Sequence, residues 1–124
     1  MSLTYGSYLK VDELLALQQL QSQPQEHDEM LFIVIHQTYE LWFKQILHEA
    51  DHLVPKLRGG EIWGSAKTLR RILTILKTLV SQVDILETMT PMEFNSFREF
   101  LKNSSGFQSW QFRELEVLLS LIHI

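Results

Sequence analysis

A histidine sits on an aromatic stripe in this chain. Phe32, His36, Tyr39 and Phe43 follow each other at spacings of four, three and four, which places them on one face of a helix. A polar ring on such a face needs a hydrogen-bond partner. Either the fold satisfies His36 internally, or the imidazole awaits a ligand. Further along, Phe94, Arg98 and Leu101 share a face at spacings of four and three, so a guanidinium lies between two apolar side chains. An arginine there either lays its stem on the surface and keeps its head in water, or offers a planar fork that holds a carboxylate through two parallel hydrogen bonds. Ser104, Ser105 and Gly106 follow, a turn able to bring hydroxyl and backbone N–H groups to an anionic ligand. A third constellation, His48-Glu49-Ala50-Asp51-His52, formally matches the H-E-x-x-H zinc pattern. That chemistry needs two imidazoles on one helical face, Glu49 as base and a further ligand. Both histidines fall on the polar side with Glu40, Lys44 and Gln45, and Asp51 adds a charge inside the motif. A solvated helix face accounts for them, so no metal site is assigned.

Composition narrows the setting. A chain of 124 residues is the size of one small domain and can bury a respectable core. With 45% hydrophobic and 21% charged residues, it has the make-up of a soluble globular protein. The net charge of -4 comes from interspersed acids and bases, which gives no reason to expect nucleic acid or an anionic membrane as partner. The lack of cysteine excludes disulfides, thiol catalysis and thiolate metal sites. No apolar run is long enough to span a bilayer, and the start MSLTYGSYLKVDE lacks the pattern of a secretory signal. A cytoplasmic location is the expectation.

The elements that must position these groups read as helices throughout. A short helix is predicted over roughly Asp12 to Gln21, broken by Pro24. A long one runs from about Asp28 to Leu57 and stops at Gly59-Gly60. A third spans about Ser65 to Glu87, with Ala66, Leu69, Leu73, Leu76, Val80 and Val83 as its apolar stripe, widened by Ile72, Leu79 and Leu86. The next start is the clearest. Thr90 suits the cap, Pro91 the first helical position, and Glu93 completes a capping box. That helix should end near Lys102, and a last one should begin near Ser109. The fold class is therefore all-α, a single helical-bundle domain over 1–124.

Two features predict that this bundle needs further partners. The long helix carries a second apolar stripe, Leu31, Ile35, Trp42 and Ile46, beside the first. The chain closes on EVLLSLIHI, an apolar run that marks an interface or a cut.

Three segments carry a resemblance: LTYGSYLKVDELLALQ, HDEMLFIVIHQTYELWFKQILHE and MTPMEFNSFREFLKNSSGFQSWQFRELE. They resemble the N-terminal part of the tryptophan 2,3-dioxygenase family, and the likeness extends from Leu3 to about Leu119. The looser relative, indoleamine 2,3-dioxygenase, lacks these segments in this form. The resemblance implies an all-α haem protein that assembles as a homotetramer. Its members insert both atoms of O2 across the C2–C3 bond of the L-tryptophan indole, giving N-formylkynurenine on the kynurenine pathway. By this likeness His36 matches the distal histidine that meets the indole N–H. Phe32 matches the aromatic that packs on the indole, and Arg98 the partner of the substrate carboxylate. Phe94 matches an aromatic position beside that arginine. Leu101 and Ser105 match pocket-lining positions near substrate and haem. Tyr5 and Tyr8 match the tyrosines that the family passes to a neighbouring subunit's active site.

The chain also departs from the family, whose members are substantially longer. The histidine that ligates the haem iron and the threonine-bearing loop over the substrate ammonium both lie in the second half, outside this sequence. None of His27, His36, His48, His52 and His123 sits in a segment resembling the proximal-ligand helix. The expectation is a chain carrying much of the substrate pocket, incomplete relative to the family, with haem not stably held by it alone and at least a dimer as its state. The alternative is a truncated, non-catalytic helical module that self-associates.

Overall fold

The structure is a computed structural model that describes residues 2–102 and 104–123, without the side chains of 107 and 121–123. Its elements are α1 (Tyr5–Leu9), α2 (Val11–Leu15), α3 (Glu29–Arg58), α4 (Ile62–Leu86), α5 (Pro91–Arg98) and α6 (Trp110–His123), with 3-10 turns at Glu99–Leu101 and Gly106–Gln108. Among the described residues no strand forms, and the all-α reading holds. Among the described residues no helix is long and apolar enough to cross a membrane.

The helix α3 and its partner α4 make the frame, an antiparallel hairpin joined by a two-glycine turn. The turn closes because the Gly60 amide bonds the Leu57 carbonyl at 3.2 Å and the Glu61 amide bonds the Lys56 carbonyl at 2.9 Å. This crossed pair satisfies two of the last carbonyls of α3, and it needs a left-handed residue, which Gly60 supplies at φ 74°. Since the turn is this tight, α4 starts at Ile62, three residues before the expected Ser65.

Packed against α3 and α4, α6 completes the core. Ile46 and Leu53 from α3, Ile72, Ile75 and Leu79 from α4, and Leu115 from α6 form the buried cluster. Full burial of each such side chain stabilises by roughly 1.5–3 kcal/mol. Tyr39 crosses from α3 to α4, donating its hydroxyl to the Leu79 carbonyl at 3.2 Å. Burial pushes that hydroxyl above its ordinary pKa. Where the cluster ends, Glu49 pairs with Arg71 of α4 at 2.7 Å.

The expected stripe of α4 needs correction. The residues that face α3 are Ser65, Thr68, Ile72, Ile75 and Leu79. Leu69, Leu73, Val80 and Val83 point outward, with Val80 72% exposed. The sequence offered two overlapping apolar arcs a small rotation apart. The buried arc includes Ser65 and Thr68, whose small side chains let the two helices approach. The second stripe of α3 is by contrast covered within the chain: Ile35 and Ile46 are buried, and Leu31 and Trp42 half-buried. Exposed apolar side chains remain on both helices, Leu41 and Leu57 on α3 and Leu73 and Val80 on α4.

The expected helix over Asp12 to Gln21 also differs. Two single turns, α1 and α2, pivot on a left-handed Lys10 (φ 54°), and α2 ends at Leu15. A competing set of bonds explains the early end. The buried Glu29 carboxylate at the start of α3 accepts from the Gln21 amide (2.8 Å), the Ser22 amide (3.0 Å) and the Ser22 hydroxyl (2.6 Å). A non-helical strap over 17–22 delivers those groups; a continued helix would have used the amides itself.

Candidate functional site

The capping box at the start of α5 is present. Thr90 Oγ1 accepts from the Glu93 amide at 3.2 Å, and the Glu93 carboxylate accepts from the Thr90 amide at 3.3 Å. Such a cap contributes about 1 kcal/mol, and here it sets the register of Phe94, Phe97 and Arg98. Phe97 is fully buried, and its ring meets Phe32 edge-on at 5.6 Å and Phe94 at 5.4 Å. It fixes α5 onto α3. The sequence reading passed over Phe97, although its position three residues after Phe94 was the available signal.

With α5 fixed, the expected residues form a ladder. His36 lies 4.3 Å from Phe32, Phe32 lies 5.6 Å from Phe94, and the Arg98 guanidinium carbon lies 5.9 Å from the centre of the Phe94 ring. The imidazole and guanidinium are therefore the two ends of one aromatic array. The guanidinium over Phe94 is in cation–π range. Arg98 is exposed, and among the described residues it makes no ion pair.

His36 is held more firmly. Its Nδ1 lies 2.7 Å from the Phe32 carbonyl, one helical turn back. A carbonyl only accepts, so Nδ1 must carry the proton and donate. In the neutral ring this leaves Nε2 with a free lone pair. Tyr39 packs edge-on against the other side at 6.4 Å. Rotamer and tautomer of His36 are thus both set by α3 itself, leaving an acceptor nitrogen that has no hydrogen-bond partner among the described residues.

Beside His36 opens a cleft of about 570 Å3 between α3, α4 and α6. Tyr39, Phe43, Leu76, Leu79, Val80 and Phe112 supply apolar walls, and Ser105, Gly106 and Ser109 a polar edge. The volume lies within the ordinary range of small-molecule and cofactor sites. Ser105 and His36 therefore share one cavity. Phe32, Phe94 and Arg98 lie along the ladder next to it and do not line it. Leu101 is half-buried in the 3-10 turn after α5. Tyr5 and Tyr8 stand on α1, 78% and 69% exposed, with no contact to the ladder of their own chain.

The zinc-like motif resolves as a structural pair of residue types. His48 and His52 are exposed, while Glu49 is buried and bonded to Arg71. Glu49 therefore departs from the solvated face that was expected to explain the whole motif. Among the described residues no group of three or more histidines, cysteines or acids is placed to hold a metal ion. The side chain of His123, and with it the end of the apolar EVLLSLIHI run, lies outside the described residues.

Comparison with known proteins gives the family. The family model of tryptophan 2,3-dioxygenase matches residues 1–122. The tryptophan 2,3-dioxygenase of Herpetosiphon aurantiacus is 63% identical over 118 residues, which cover 95% of this chain and 45% of that protein. The same-named protein of Anaeromyxobacter sp. is 59% identical, covering 95% of this chain and 44% of its own length. That of Xanthomonas oryzae is 50% identical over 117 residues, covering 94% and 39%. The chain thus spans less than half the length of these curated relatives, and over nearly all of its own length it belongs to the tryptophan 2,3-dioxygenase family.

Proposed function

We propose that this chain supplies the substrate-holding part of a tryptophan 2,3-dioxygenase site, in which O2 is inserted into the indole C2–C3 bond of L-tryptophan to give N-formylkynurenine. The observation that carries this reading is the fixed His36 ring at one end of a ladder whose other end is Arg98, without an ion pair among the described residues. An indole needs an acceptor for its N–H, and Nε2 of His36 is an acceptor only. An aromatic face supports the ring, which is the part of Phe32. An α-carboxylate needs a fork of donors, which is the part of Arg98, with Phe94 beneath the guanidinium. Ser105 lines the cleft beside His36, and Leu101, half-buried in the turn after α5, is assigned to the pocket by the family likeness alone. Orientation is the work of these groups, and orientation alone removes much of a bimolecular barrier. Tyr5 and Tyr8, exposed on α1, are free to enter the site of a neighbouring copy.

The family's cofactor, haem, suits the cleft beside His36. A flat apolar macrocycle fits walls made by Phe43, Leu76, Val80 and Phe112, and its polar rim fits the Ser105–Gly106 edge. When bound, haem supplies the iron on which O2 is activated. By the family likeness His36 takes the substrate side and the iron-ligating histidine belongs to the second half of the family's fold; among the described residues no second imidazole lines the cleft. The chain on its own is therefore expected to hold haem weakly, and full activity to need the remainder of the family's fold. A visible spectrum with an intact mass tests this. A stable Soret band from a chain of 14.6 kDa would overturn the expectation of weak binding. In a protein of family length, loss of N-formylkynurenine formation on L-tryptophan would sink the proposed activity.

A self-associating state is the companion reading, favoured by the outward Leu69 and Leu73 on α4, which lie outside the cleft. Covering such a surface stabilises by roughly 25 cal/mol per Å2, so at least a dimer is expected, and a homotetramer as in the family. Sedimentation at micromolar concentration decides it; a clean monomer that binds no apolar dye would refute it.

A further inference from the structure

Glu29 is a fully buried carboxylate that the ladder chemistry leaves unused. Glu29, Phe32 and His36 lie at spacings of three and four, on one face of α3. The carboxylate takes three hydrogen bonds from Gln21 and Ser22. The Ser22 hydroxyl in turn accepts from the Glu26 amide at 2.9 Å, which closes the loop around it. Two turns further along α3 the same strap is fastened again. Gln18 donates to the Gln37 side chain at 2.8 Å, and Gln37 donates back to the Leu17 carbonyl at 3.1 Å. Gln37 is the residue next to His36. Between these fastenings the strap runs antiparallel to α3.

The strap has a consequence for His36. A second cleft of about 370 Å3 reaches the ring, walled by Leu14 and Leu17 from the N-terminal segment and by Gln37, Lys44 and Gln111. His36 lines both this cleft and the larger one. The imidazole is therefore a partition between two spaces, and the second is closed only as far as the strap holds Leu14 and Leu17 in place. We propose that Glu29 is a positioning residue for His36: its carboxylate clasps the 17–22 strap onto α3, so that Leu14 and Leu17 are held as walls that narrow the second approach to the imidazole. This deepens the reading of His36 as the ring that meets the ligand, but its test needs no ligand.

The experiment uses the chain itself, with two readouts. Amide hydrogen exchange at Gln21 and Ser22 reports the clasp. The rate of acylation of each histidine by diethylpyrocarbonate, resolved by mass spectrometry, reports access to the rings; exposed His48 and His52 serve as internal references. Glu29→Gln keeps the volume but removes the charge, so exchange at Gln21 and Ser22 should quicken by on the order of tenfold or more. His36 acylation should rise several-fold relative to His48 and His52. Ser22→Ala, which leaves two of the three bonds, should move both readouts in the same direction by less, and it answers the question if Glu29→Gln does not fold. Faster exchange with an unchanged His36 ratio would overturn the proposal, because Glu29 would then be a local cap. Unchanged exchange would overturn it as well. Absence of tryptophan turnover in a protein of family length would count against the proposed function and leave these readouts intact.

Discussion

The two ends of the ladder differ in how they are held. His36 is half-buried, bonded at Nδ1 to its own helix and packed between Phe32 and Tyr39. Arg98 is exposed, rests on one ring, and among the described residues has no acidic partner. One end is preorganised before a ligand arrives; the other is completed by it. A neutral acceptor loses little by being fixed early, since its hydrogen bond is modest. A buried unpaired guanidinium would cost far more, so its charge stays in water until a carboxylate comes.

The largest expected effect comes from removing what joins the two ends. Phe97→Ala empties a fully buried site and should destabilise the fold by about 3–5 kcal/mol, read by chemical denaturation. A loss under about 1 kcal/mol would mean that α5 is not held by this ring.

Next in size is the open end. In a protein of family length, Arg98→Ala should weaken tryptophan use by about 1.5–3 kcal/mol for each charged hydrogen bond lost, with stability little altered. Tryptamine, which lacks the carboxylate, should be affected far less. Equal impairment on both substrates would remove the distinction drawn for Arg98.

The fixed end should matter less. His36→Ala removes one neutral hydrogen bond, about 0.5–1.5 kcal/mol, so the rate should fall without vanishing. An N-methylated indole should then lose less in the variant than in the parent. Equal losses would show that Nε2 is not the acceptor.

The smallest effect sharpens the role of the strap. Burial raises the Glu29 carboxyl, but the bonds from Gln21 and Ser22 outweigh it and hold the group below its ordinary value of 4.5. A lowered folded-state pKa contributes stability that is present above that ordinary value and lost as pH falls through the lowered one. Thermal melts stepped down through the carboxylate range should show this loss in the parent and not in Glu29→Gln. The neighbouring acids Glu26 and Asp28 are common to both proteins, so the paired comparison cancels them. Parallel curves would remove Glu29 as the source.

The sequence by itself determined the periodic and capped parts. The length of α3, the glycine stop, the Thr90–Glu93 box and the all-α class rest on spacings of a few residues, which a helix imposes locally. His36 and Arg98 stood out for the same reason, as polar groups on apolar faces, and the family likeness supplied roles that spacing could not. Tertiary structure decided what depends on a neighbour. Which of two arcs of α4 turns inward follows from how closely Ser65 and Thr68 let α3 approach. The early end of α2 follows from a carboxylate seven residues beyond Ser22, and the tautomer of His36 from a carbonyl whose distance only a folded helix sets. Hydrophobic pattern marks the surfaces that want burial; it does not say which partner reaches them first, because that is a competition among elements distant in the chain.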